Sequence, residues 1–220
     1  MTTKNNIQNL IAERAAKELV GPCIVNLGIG VPTLIPDYLD DDEVYLHTEN
    51  GMLGVGPEDP DNLDPNLVNA GKFPITEVSG SAYFNSADSF GMIRGGHIDV
   101  TVLGVLQADQ TGRIANWSIP GKNIIGVGGA MDLLSGAKKV ICTMTHTTKT
   151  GEAKIVKKCD YPITSTRQID MLITELAVFT FENDEMTLIE LMPGATLEEV
   201  QEKTQGEFKV DLQENNEVKE

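Results

Sequence analysis

The stretch Leu46-His47-Thr48-Glu49-Asn50-Gly51-Met52-Leu53 sets a carboxylate directly before an Asn-Gly pair. A glutamate is ionised at neutral pH without help, so as a nucleophile it needs no neighbouring base. The sequence offers no Ser-His-Asp or Cys-His set that would compete for that role. A carboxylate attacking an acyl carbon such as a thioester gives a mixed anhydride, which water destroys. Such chemistry therefore requires a dry, rigid pocket with donors for the tetrahedral oxyanion. Asn50-Gly51 can supply the rigidity, because both residues tolerate the positive φ of a two-residue hairpin turn. The competing reading makes Glu49 a surface acid on the way into a hairpin, and local rules favour it.

Two glycine loops could face such a carboxylate. Gly126-Val127-Gly128-Gly129-Ala130-Met131-Asp132 opens a helix, where backbone N–H groups are unsatisfied and can meet an oxyanion. The same glycines could equally form a bend that lets helix and sheet pack closely. The other loop, Gly28-Ile29-Gly30-Val31-Pro32-Thr33, follows an apolar run, and Glu49 stands roughly 20 residues on, where a dinucleotide-binding fold places its ribose acid. Against a dinucleotide, Thr33 occupies the third glycine position and Pro32 removes one N–H from the cradle. A tight strand-to-helix turn accounts for that loop as well.

Composition narrows the field. A net charge of −16 over 220 residues, with no Lys or Arg between Asp37 and Asp64, argues against a nucleic-acid surface and describes a solvated acidic one. Cys23, Cys142 and Cys159 are odd in number and form no C-x-x-C pair, which points to a reducing, cytoplasmic setting. His47, His97 and His146 have no metal-ligand spacing, so no metal is expected. No run reaches membrane-spanning length, and the opening MTTKNNIQNLIAERAAKEL lacks the pattern of a secretion signal.

The elements that must position these residues read as α/β. Ile7, Leu10, Ile11, Ala15 and Leu19 recur at helical spacing. CIVNLGIG is a short apolar strand followed by a helix from Pro32 to Tyr38, and Val44–His47 is a second strand; that order marks a parallel sheet. Residues 57–71 carry turn formers and acids and read as a long surface loop. ITEVSGSAYFN, IDVTVLGVLQ and KKVICTMTH read as strands, the last two apolar enough to be central. DQTGRIANW between them is a hairpin turn with a return strand. MLITELAVFTF and TLIELM are late strands, and ATLEEVQEKT is a helix begun by Thr196 as N-cap.

Taken together, NLGIGVP at 26–32, LHTENGMLGVG at 46–56, NAGK at 69–72, SFGMIRGGHIDVTVLG at 89–104, ANWSIPGK at 115–122 and GVGGAMDLLSGAKKV at 126–140 closely resemble the β subunit of family I CoA transferases. The resemblance runs from about residue 7 to about residue 205 and is greatest to 3-oxoacid and acetate or butyrate:acetoacetate transferase β subunits. It implies a mostly parallel sheet flanked by helices, one domain over 1–206 and a flexible tail over 207–220. It also implies that Glu49, in a motif usually written Ser-Glu-Asn-Gly, becomes a glutamyl-CoA thioester. Thr48 replaces the usual Ser, keeping the hydroxyl and adding a methyl.

The same resemblance makes Gly129 a backbone oxyanion donor, sets Asn26, Lys72, Asn116 and Gly128 in the substrate and CoA-binding region, and makes Asn50 and Gly51 the support of the turn. It implies no permanently bound cofactor, coenzyme A as substrate, and a separate α subunit completing the pocket. Acyl-CoA and short carboxylic acids, among them acetoacetate, acetate, butyrate and succinate, are the implied substrates. Two other readings stay open at this point: a non-catalytic CoA- or metabolite-sensing subunit of the same fold, and a nicotinamide-dinucleotide enzyme.

Overall fold

In the computed structural model, residues 2–57, 61, 64–69, 71–122, 124 and 126–212 are described. The chain begins with helix α1, Thr2–Ala16, whose Ile11, Ala12 and Ala15 share one face and are fully buried. Strand β1, Cys23–Leu27, leads into a short helix over Val31–Tyr38 with Pro32 in its first turn. That helix is 3-10 rather than α: Pro36 lies inside it, without an N–H to donate, and short tight turns tolerate this better than an α-helix does. Strand β2, Val44–Thr48, then runs parallel to β1, with Asn26 opposite His47.

Strands β3, Met52–Gly56, and β4, Thr76–Tyr83, return antiparallel beyond β2. The long loop between them has exposed residues where it is described, and residues 58–60, 62, 63 and 70 of it lie outside the description. Helix α2, Ser86–Arg94, is capped by Asn85, whose side chain accepts from the N–H of Asp88. The apolar run expected as one strand over 98–107 is divided. Strand β5, Val100–Gly104, belongs to the main sheet. After it the chain leaves that sheet to form β6, Gln107–Asp109, which pairs antiparallel with β7, Ile114–Ala115, as the hairpin reading required.

Helix α3, Ala130–Gly136, follows the glycine loop and leads to β8, Lys139–Thr143. Strand β9, Ile155–Val156, completes the small sheet beside β6. MLITELAVFTF, expected as one strand, is a hairpin of β10, Met171–Ile173, and β11, Ala177–Glu182. The break is chemical, since the buried Thr174 hydroxyl accepts from the N–H groups of Leu176 and Ala177 and so captures the turn. Strand β12, Glu185–Leu191, and helix α4, Leu197–Lys203, follow, the latter capped by Thr196 as its sequence indicated. Strand β13, Lys209–Val210, pairs with β12, so part of the stretch expected as a tail adds to the sheet edge; residues 213–220 lie outside the description.

The ten-stranded sheet runs β13-β12-β11-β10-β8-β5-β1-β2-β3-β4. Its centre, β10-β8-β5-β1-β2, is parallel, and antiparallel strands extend it on both sides. The expected mostly parallel sheet therefore holds for the core of the molecule. Apolar clusters cover both faces: α1 and the 3-10 helix pack with Val25, Val102 and Ile173 in one, and Ile93 of α2 packs with Leu133 and Leu134 of α3 in the other. From β1 the chain moves to β2, and from β5 it moves the opposite way to β8. Adjacent strands with diverging connections leave a crevice at their carboxyl ends, where open α/β sheets bind ligands.

Candidate active site

Asn26 lies near the carboxyl end of β1 and Glu49 immediately after β2, both at that crevice. The Asn26 side chain is fully buried, and its Nδ2 donates to Glu49 Oε2 at 3.1 Å and to the His47 carbonyl at 3.3 Å. His47 Nδ1 stands 3.1 Å from the same nitrogen, and His47 Nε2 stands 3.1 Å from Ser89 Oγ on α2. Because Asn26 Nδ2 can only donate, Nδ1 must be the acceptor, so the ring proton sits on Nε2 and is donated to Ser89. Burial pushes His47 down to about 4, which keeps this tautomer neutral.

The turn differs from the two-residue form expected. The Gly51 N–H donates to the Thr48 carbonyl at 3.0 Å, so Glu49 and Asn50 are the central residues, and Gly51 alone takes positive φ, at 126°. Glu49 is thus the leading corner of a three-residue loop rather than a residue ahead of it. Gly51 is required twice over, since a Cβ there would also stand 2.1 Å from the Phe84 carbonyl oxygen. Asn50 straps the turn down: its Oδ1 accepts from Thr48 Oγ1 at 2.6 Å and its Nδ2 donates to the Val68 carbonyl at 2.8 Å.

Gly129 also packs close to Glu49. A Cβ built there would lie 3.4 Å from Glu49 Cγ and 3.3 Å from Phe90 Cζ. The N–H groups of Gly128 and Gly129 take no partner among the described residues, leaving them as unspent donors. Helix α3 can bring them here because Gly136 fits against the backbone of α2 at Ile93, where a side chain would collide.

Of the remaining sequence-derived positions, Lys72 is exposed with φ 64° in the turn closed by its own N–H to the Asn69 carbonyl, four residues beyond the Val68 carbonyl that Asn50 holds. Asn116 follows β7 in the small sheet. Its hydrogen bonds go to Thr164, from the N–H at 3.1 Å and to Oδ1 at 2.8 Å, and none joins it to the Glu49 turn. His47, Ser89 and Phe84 escaped sequence reasoning. The signal for His47 was its place two residues before Glu49 in the sequence.

A cavity of about 350 Å3 takes Thr48 and His47 into its wall, with Leu27, Leu34, Leu46 and Phe73 supplying apolar surface. In the glycine loop after β1 the Gly28 N–H is spent on the Val102 carbonyl at 2.8 Å and a proline-bearing 3-10 helix follows, so the loop has fewer N–H groups to offer a phosphate than a dinucleotide cradle has. No thiol competes as nucleophile, since burial pushes Cys23 and Cys142 up and Cys159 up to about 12. The arrangement presents one half-buried carboxylate, pinned at one oxygen, with the backbone of Gly129 packed close to its side chain.

Comparison with known proteins gives the same direction. The family profile described as Coenzyme A transferase matches residues 9–203. The chain is 50% identical over 207 residues to the B-type subunit of the succinyl-CoA:3-ketoacid coenzyme A transferase of Helicobacter pylori, covering 94% of this chain and 100% of that one. It is 49% identical over 201 residues to the β subunit of the acetate CoA-transferase of Escherichia coli, covering 91% and 92%. Among solved structures, an acyl-CoA transferase apoenzyme from Escherichia coli O157:H7 matches with a TM-score of 0.75 at 25% identity, over 94% of this chain and 42% of that one.

Proposed function

The chain belongs to the coenzyme A transferase family as a β-type subunit, and from that premise we propose that Glu49 is the nucleophile through which it moves CoA between a short acyl-CoA and a carboxylate. One Glu49 oxygen attacks the thioester carbonyl carbon, the C–S bond breaks, and CoA leaves as the thiolate. The product is an acyl-glutamyl anhydride. The thiolate then attacks the Glu49 carbonyl carbon, releasing the donor acid as carboxylate and leaving glutamyl-CoA. An acceptor carboxylate runs the two steps in reverse. Each step exchanges one activated acyl bond for another, so no ATP is consumed.

The observation that carries this reading is the placement of Glu49 between Asn26 Nδ2 at 3.1 Å and Gly129, whose Cβ position lies 3.4 Å from Glu49 Cγ. The pinned oxygen leaves its twin to attack, and the free Gly128 and Gly129 amides suit the tetrahedral oxyanion. Lys72 serves an anionic substrate or the CoA chain, and the apolar cavity beside Thr48 suits a short acyl tail. Asn116 enters the binding region only through substrate, since its own bonds go to Thr164.

A second polypeptide, the α subunit, completes the pocket. The relatives are named as subunits, and this chain spans 42% of the longer acyl-CoA transferase. CoA acts as substrate rather than as a resident group. No helix among the described residues is long and apolar enough to cross a membrane, and the cytoplasm remains the compartment we propose from cysteine usage.

The test is chemical capture. An αβ complex given acetoacetyl-CoA should carry a CoA-mass adduct on the Glu49 peptide, removable by hydroxylamine. An active preparation with that peptide unmodified overturns the assignment. Glu49→Gln should abolish turnover with the melting temperature unchanged.

A further inference from the structure

Asn26 is held in one orientation from one side only. Its Oδ1 is buried without a hydrogen-bond partner, while its Nδ2 meets His47 Nδ1, the His47 carbonyl and Glu49 Oε2. Two of those three are obligate acceptors, so the atom facing Glu49 is the amide nitrogen. The third contact holds the amide in that sense only while Nδ1 keeps its lone pair. Ser89 Oγ, buried on α2, takes the Nε2 proton, and Phe84 stacks on the imidazole with ring centroids 5.8 Å apart and planes 13° apart. The ring is therefore fixed in place, in tilt and in tautomer.

We infer that His47, locked by Ser89 and Phe84, is a positioning residue for the transfer reaction: it fixes the Asn26 amide so that Nδ2 pins one oxygen of Glu49 and leaves the other aimed at the acyl carbon. The inference rests on the reading of Glu49 as nucleophile. A glutamate has three rotatable side-chain bonds, and its attack geometry is lost when the pin loosens; misplacement on the order of 1 Å costs about 10²-fold in rate. His47 acts on Glu49 through Asn26, since its ring and carbonyl meet the Asn26 amide nitrogen and Glu49 meets the same nitrogen.

The measurement is steady-state exchange by the co-purified αβ complex with acetoacetyl-CoA and acetate, read beside melting temperature. His47→Leu fills the volume but offers neither acceptor nor donor, so kcat should fall about 10²-fold with KM for acetoacetyl-CoA unchanged. His47→Gln carries an acceptor and a donor on one amide and should restore most of that loss. Parental kcat in His47→Leu overturns the inference, and so does a loss that His47→Gln fails to recover, which would assign His47 to packing. If His47→Leu does not fold, Ser89→Ala carries the test: kcat should drop without a change in KM, and parental kcat overturns the inference. Glu49→Gln in the same assay separates the two readings, because turnover retained there sinks the nucleophile while leaving the His47 geometry as described.

Discussion

Asn26 Nδ2 lies 3.1 Å from Glu49 Oε2, joining the ends of two adjacent parallel strands across 23 residues of sequence. The contact depends on register, since Asn26 pairs with His47 and the next two residues carry the chain to Glu49. Shifting β2 by one residue would turn its side chains to the opposite face and break the pair.

Asn26→Asp tests the sign of this contact. It keeps the shape but replaces the donor by an acceptor, setting a second carboxylate against Glu49 in a buried site. Turnover should fall further in Asn26→Asp than in Asn26→Ala, and equal losses in kcat would show that donation to Glu49 is not what Asn26 provides.

Two glycines beside Glu49 should respond differently to alanine. Gly129 has φ −81°, open to any residue, so its added methyl presses on Glu49 and Phe90 without backbone strain. Gly129→Ala should lower kcat with little change in melting temperature. Gly51 has φ 126°, and its Cβ would fall 2.1 Å from the Phe84 oxygen. Gly51→Ala should cost about 1–3 kcal/mol of stability, measured by urea unfolding.

Thr48 keeps its hydroxyl on Asn50 Oδ1 at 2.6 Å. Thr48→Ser preserves that bond and should leave kcat close to parental, whereas Thr48→Val leaves the Asn50 strap short of a donor and should lower it. Matching rates for serine and valine would separate the hydroxyl from the positioning of the turn.

Burial holds both His47 and His146 down to about 4, desolvation being the main cause in each. An unfolded histidine binds its proton near pH 6.5. Between about 6.5 and 4 the unfolded chain therefore binds more protons than the folded one, and stability declines as pH falls through that window. Above it the full contribution is present, up to roughly 3 kcal/mol for each ring. Urea unfolding at about pH 7.5 and about pH 5 should show the loss, and His47→Gln should reduce it. Identical stabilities at the two pH values would contradict neutral buried rings.

Arg14 of α1 donates from Nε to Glu190 at 2.9 and 3.1 Å and from Nη1 to Glu18 at 2.9 Å, while Lys139 of β8 reaches Glu18 at 2.7 Å. Burial works against the Glu18 charge, but the hydrogen bonds from Lys139 and Arg14 outweigh it and hold the carboxyl below its ordinary value. Arg14→Leu leaves Glu190 without its cation and Glu18 with Lys139 alone. It should destabilise by about 1–3 kcal/mol, with α1 loosening first in hydrogen exchange.

The sequence by itself determined what is local. Local rules left Glu49 a surface acid, and only the chain-wide resemblance made it the candidate nucleophile. The spacing of Ile7, Leu10, Ile11 and Ala15 specified α1, unbroken apolar runs specified the buried parallel strands, and Thr196 marked its helix. Each of these signals is carried by neighbours within one or two turns of chain. Tertiary structure decided the rest. It split 98–107 between two sheets, folded MLITELAVFTF into a hairpin, reshaped the Asn50-Gly51 turn around Glu49, and turned Asn116 toward Thr164. It also joined Ser89 to His47 across 42 residues. Such contacts depend on strand register and on how closely helices approach the sheet, and no periodicity along the chain encodes which distant polar atoms those two quantities will bring within hydrogen-bonding reach.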